Sequence, residues 1–142
     1  MSLENKHASC LCGSVQIRVA KIDPNFTLCH CDSCRVWGGG PFFAIKCGND
    51  VAFNSLENVQ EFESSSWAHR AFCKVCGTHL YYKLKQTDSY NMPLGIFSEL
   101  SDIKMDMQYF IDKRPAYYCI ANETKEMTTE QITAYFASQV SE

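Results

Sequence analysis

Seven of the nine cysteines of this chain are grouped, and the grouping limits how the backbone can close. Two groups are short clasps, Cys10-Leu11-Cys12 and Cys73-Lys74-Val75-Cys76, each followed by a glycine, Gly13 and Gly77. A C-x-x-C turn curls its sulfurs around a metal at about 2.3 Å, and the glycine after it can take the positive φ that lets the chain turn away beneath the ion. In C-x-C, extended backbone puts both sulfurs on one face. Together the clasps supply four thiolates, a closed tetrahedral set. Such a site ties the first strand to a clasp far along the chain, and closing so long a loop gives the metal leverage on folding.

The third group, CHCDSC at residues 29–34, carries three sulfurs, Cys29, Cys31 and Cys34. Strand alternation points Cys29 and Cys31 one way and His30 the other, so His30 is not a natural fourth ligand. Structural zinc sites are normally closed by four protein ligands, whereas catalytic ones commonly keep three and leave a position for water or substrate. One reading is therefore an open centre. A second is a closed site completed by Cys47, His79 or Cys119. A third, redox use of Cys31 and Cys34 as a C-x-x-C dithiol, lacks the βαβ setting of thioredoxin-like motifs. Outside these schemes Cys47 and Cys119 lie in apolar runs and read as small buried hydrophobes.

A chain of 142 residues fits one domain, residues 1–142, and buries enough surface to fold without disulfide staples, so nine cysteines ask for a chemical reason. The opening MSLENKHASC is unlike a signal peptide, and no apolar run approaches the roughly 20 residues that span a bilayer. We expect a soluble, cytoplasmic protein with reduced thiols and no membrane partner. The formal charge is −3 before any cysteine ionises. Seven thiolates around two zinc ions would take it to roughly −6. With no basic stripe, nucleic acid is not an expected partner.

Between the cysteines the sequence reads as β structure. SVQIRV alternates, with Val15, Ile17 and Val19 on one face. Further strand-like runs fall at residues 26–29, 42–47, 51–53, 59–62, 69–72, 79–84, 90–97, 107–111 and 116–120. Residues 32–38 suit a short helical turn before the glycines at 38–40. Only the last segment reads as a longer helix: Thr128 and Gln131 have capping-box spacing, and Ile132, Tyr135, Phe136 and Val140 share a face. The expectation is a mainly β domain with a C-terminal helix.

Three motifs, CLCGSV (10–15), CHCDSCRVWGG (29–39) and RAFCKVCGTHL (70–80), resemble in that order the glutathione-dependent formaldehyde-activating enzyme (GFA) family. The resemblance implies the Mss4-like β-tent fold and a single GFA-like (CENP-V/GFA type) zinc-binding domain. It implies two zinc ions per chain, a structural one on Cys10, Cys12, Cys73 and Cys76 and a second on Cys29, Cys31 and Cys34. It also implies the family's carbon–sulfur lyase reaction, which joins formaldehyde and glutathione. Where relatives often carry a His-Ile pair and later a Trp, this chain has Met107-Gln108 or Gln108-Tyr109 and then Tyr117-Tyr118.

An open second zinc suits a small thiol such as glutathione, because metal binding favours thiolate, the reactive form. Glutathione carries carboxylates that a cation would help place, and Arg35 and Arg70 adjoin the motifs. Trp37 and Trp67 read as core or pocket wall, and His79 as structural or as a general base. A reading from another class is a non-enzymatic zinc-binding module for a protein partner, similar to relatives of this fold that act as chaperones for small GTPases.

Overall fold

The computed structural model describes residues 2–140, with side chains to Ser138. The protein is mainly β with a helix at the C-terminal end, as the sequence predicts. Its described residues fall into two compact units, residues 2–24 with 44–103 and residues 25–43 with 104–140.

The first unit begins with an antiparallel sheet of β1 (Leu3–Ser9), β2 (Gln16–Ile22) and β5 (Val51–Phe53), in the order β1-β2-β5. The alternation in β2 translates directly into burial: Val15, Ile17, Val19 and Ile22 are sealed, while Gln16, Arg18 and Lys21 face solvent. β1 has no such pattern and is absent from the sequence reading. It is an edge strand whose only buried residue is Ala8, and edge strands tolerate polar residues such as Glu4, Asn5 and Lys6.

The unit's other strands run antiparallel in the order β4-β9-β8-β7-β6, namely β4 (Phe42–Gly48), β6 (Val59–Glu63), β7 (Ala68–Cys73), β8 (His79–Leu84) and β9 (Ser89–Pro93). Ile45, Cys47, Leu80 and Met92 form their buried face. Phe53 of β5 meets Tyr81 and Tyr90 with ring centroids 5.7 and 5.8 Å away, packing the two sheets through an aromatic cluster.

The second unit holds β3 (Asn25–Cys29), α1 (Asp32–Gly38), β10 (Lys104–Tyr109), β11 (Lys125–Met127) and α2 (Thr129–Val140). β10 pairs in parallel with both β3 and β11, and Tyr109 stands opposite Cys29. The capping box is complete: Thr128 N–H donates to Gln131 Oε1 at 2.8 Å, and Gln131 N–H donates to Thr128 Oγ1 at 3.2 Å. On the expected apolar face Ile132 is buried, but Tyr135 and Phe136 are half exposed, and the Val140 side chain lies outside the described residues.

The strand expected at residues 116–120 does not form. Pro115 cannot donate to a ladder, and the following residues make a turn that leaves Tyr117 exposed and Cys119 at the surface, not in the core. Among the described residues no helix is long and apolar enough to cross a membrane.

Candidate metal centres

The two clasps converge in the first unit. The sulfurs of Cys10, Cys12, Cys73 and Cys76 lie within 4.8 Å of one another, with Cys10–Cys12 at 3.6 Å and Cys12–Cys73 at 3.9 Å. Sulfurs tetrahedrally placed around an ion at 2.3 Å stand about 3.8 Å apart, so the spacing fits zinc. Both turns close as their glycines permit: Gly13 N–H donates to Cys10 O and Gly77 N–H to Cys73 O, with φ of 83° and 82°.

Thr78 joins the two halves. Its hydroxyl accepts from Leu11 N–H at 3.0 Å and lies 3.1 Å from Cys76 Sγ, to which its own hydrogen is free to point. The Thr78 hydroxyl and backbone pull the exposed Cys76 thiol down to about 5, and Ser14 lowers Cys12 in the same way. Burial instead pushes Cys10 up, although Val15 N–H donates to its sulfur at 3.2 Å. A cation held here would favour the thiolate form that burial of Cys10 opposes.

The second cluster forms where β3 runs into α1. Cys29, Cys31 and Cys34 also hold their sulfurs within 4.8 Å, and Cys29 and Cys31 stand 3.3 Å apart. Cys31 is the N-cap of α1, its sulfur accepting from Cys34 N–H at 3.4 Å, which folds the third thiol back over the first two. The crowding of Cys31 and Cys34, helped by burial, pushes the Cys29 thiol far up. Among the described residues this ligand group ends at three. Cys119 is exposed and does not join it; Cys47 is sealed within β4, and His79 opens β8 of the first unit.

His30 turns away from the sulfurs, as alternation requires, into a fully buried position. Its Nδ1 lies 2.6 Å from the Tyr118 hydroxyl and its Nε2 lies 2.8 Å from Gln108 Oε1. Gln108 Oε1 can only accept, so Nε2 carries the proton and Nδ1 accepts from Tyr118. Gln108 Nε2 passes the chain on to Thr124 Oγ1 at 3.0 Å. Burial lowers the His30 pKa and keeps the ring neutral. Gln108 and Tyr118 lie in the two segments that depart from the family pattern, and both now have a task, holding the residue between two cysteines.

The cations separate sharply. Arg35 Nε donates to His30 O at 3.0 Å and its guanidinium pairs with Asp32 at 2.7 Å, fixing α1 to the cluster. Arg70 is buried in the first unit over the Tyr82 ring at 4.8 Å, a packing role. Trp37 is half-buried in α1, whereas Trp67 is exposed and donates to the Tyr82 hydroxyl at 3.1 Å. His79 is half-buried, with its pKa lowered first by burial and then by Arg70. Sequence reasoning missed Thr78. The signal for it was its place directly after Gly77.

Comparison with known proteins agrees with this geometry. The family described as glutathione-dependent formaldehyde-activating enzyme matches residues 5–113. An uncharacterized lyase of Schizosaccharomyces pombe is 34% identical over 125 residues, covering 87% of this chain and 91% of the yeast protein. A crystal structure of a Rhodobacter sphaeroides protein shares the fold, with a TM-score of 0.58 at 22% identity over 67% of this chain and 90% of that one.

Proposed function

Because the chain belongs to the glutathione-dependent formaldehyde-activating enzyme family, we propose that it is a zinc-dependent carbon–sulfur lyase-like enzyme. Its substrate would be the adduct of formaldehyde, or a related aldehyde, with glutathione or another small thiol. One GFA-type domain would span residues 1–142. Cys10, Cys12, Cys73 and Cys76 would hold a structural zinc, and Cys29, Cys31 and Cys34 a second one. Cysteines grouped as metal ligands suit a reducing compartment, so we place the protein in the cytoplasm.

The observation that carries this reading is the ligand count. The same chain completes a four-sulfur set in one place and stops at three in another, with its adjacent histidine committed elsewhere. When bound there, zinc would supply Lewis acidity that favours the thiolate form of a substrate thiol. The protein's own residues hold that place ready: Cys31 caps α1, Arg35 ties α1 to the His30 carbonyl, and buried His30 fixes the strand end. In the synthetic direction the thiol sulfur bonds to the aldehyde carbon while the thiol proton passes to the carbonyl oxygen; the lyase direction reverses both.

The test is cobalt substitution. Titrating glutathione into the cobalt protein should change the sulfur-to-cobalt absorption, and the zinc protein should accelerate adduct formation beyond the spontaneous reaction. Cys31→Ser should lose both responses and one metal ion while still melting cooperatively. A fully loaded protein with no spectral response to any thiol would refute the proposal.

A further inference from the structure

The loop leaving β10 is anchored twice to the segment that carries the three-cysteine cluster. At its start His30 N–H donates to Tyr109 O at 3.0 Å, and at its end the Tyr118 hydroxyl meets His30 Nδ1 at 2.6 Å. Residues 110–117 therefore bridge two contacts with one residue, and that residue sits between Cys29 and Cys31. Phe110, in the left-handed region at φ 58°, and the turn Ile111–Lys113 reverse the chain, and Arg114 N–H closes onto Ile111 O at 3.2 Å.

Arg114 stands in the middle of this bridge. Pro115 follows it and restricts it to extended backbone, observed at φ −62° and ψ 123°, so the direction of its Cα–Cβ bond is set before any ligand arrives. The residue is half-buried, and its Nε is sealed from solvent without a hydrogen-bond partner. The guanidinium charge is felt at both His30 and Tyr118, and Tyr118 in turn feels the Cys29 thiol. Arg35, the arginine of the three-cysteine motif, has committed donors to His30 O and Asp32. Arg114 thus brings a cation with an unmet, desolvated donor to the neighbourhood of three thiols.

We propose that Arg114 receives a carboxylate of the thiol substrate, so that the site selects small thiols bearing a carboxylate over neutral ones. The inference rests on the reading of the cluster as a thiol-accepting metal centre. The planar fork of Nε–H and Nη–H matches the two oxygens of a carboxylate, and a partner there would satisfy the stranded Nε. A charge-assisted pair of this kind contributes about tenfold to a hundredfold in affinity.

The experiment uses two thiols of similar length, 3-mercaptopropionate and 2-mercaptoethanol, titrated into the cobalt-substituted full-length protein and followed by sulfur-to-cobalt absorption. The wild type should bind the carboxylate thiol at least about tenfold more tightly. Arg114→Gln should lose that preference by weakening the anionic thiol alone, and Arg114→Lys should keep part of it, with metal content and melting checked for each. Equal affinities in the wild type, or an unchanged ratio in Arg114→Gln, would overturn the assignment while leaving the thiol-accepting centre standing. No response to either thiol in the wild type would overturn both. Should Arg114→Gln fail to fold, equal affinities in the wild type or a preference undiminished in Arg114→Lys would still overturn the assignment.

Discussion

Replacing Gln108 by Leu tests the buried chain that holds His30. Gln108 is 3% exposed and His30 is fully buried, and the bond between them is 2.8 Å long. Leucine keeps most of the volume but removes the acceptor, leaving His30 Nε2–H buried and unpaired at a cost of about 1–3 kcal/mol. Thr124 is half-buried and can turn to water, so its loss is small. Burying leucine's methyl groups offsets about 1 kcal/mol. The net loss is therefore about 0–2 kcal/mol, a fall of up to about 6 °C in Tm for a chain of this size. The assay is thermal and urea unfolding at one fixed free zinc concentration, because metal bound only by the native state shifts the apparent stability. A double-mutant cycle with His30→Phe should return a coupling of about 1 kcal/mol or more, and nitrogen NMR should show the Nε2–H tautomer in the wild type. A coupling below about 0.5 kcal/mol in that cycle, or an Nδ1–H tautomer, would refute the network.

Cys76→Ser should leave the four-sulfur clasp incomplete and give insoluble or non-cooperatively melting protein, since structural zinc contributes on the order of 10 kcal/mol in small modules; solubility and calorimetry check it. Thr78→Val keeps all four sulfurs but removes the hydroxyl between Leu11 N–H and Cys76, so zinc competition with a chromophoric chelator should show about tenfold to a hundredfold weaker binding. Unchanged affinity would mean that Thr78 only fills space.

The legible parts of this structure were those where one residue type has one use. Alternating Val15, Ile17 and Val19 had no other outlet than a half-buried strand, and the paired spacings with Gly13 and Gly77 had no better use than a clasp. The capping box of α2 was written in Thr128 and Gln131 alone. The illegible parts depend on partners distant in the chain. β1 is a strand because β2 offers it hydrogen bonds, and nothing in its polar sequence says so. The run at 116–120 has strand-like composition, but the proline before it and the call of His30 on Tyr118 decide otherwise. Alternation showed that His30 leaves the sulfurs. That it is held by Gln108 and Tyr118, 78 and 88 residues away, required the fold.

The difference between four sulfurs and three also sets an order of priority when metal is scarce. A complete set with two preformed clasps holds its ion against a competitor better than a trio that needs an outside ligand to finish it. As cellular zinc falls, the first unit would keep its ion and its shape while the second cluster empties. The fold of the first unit would then outlast the proposed thiol-accepting centre.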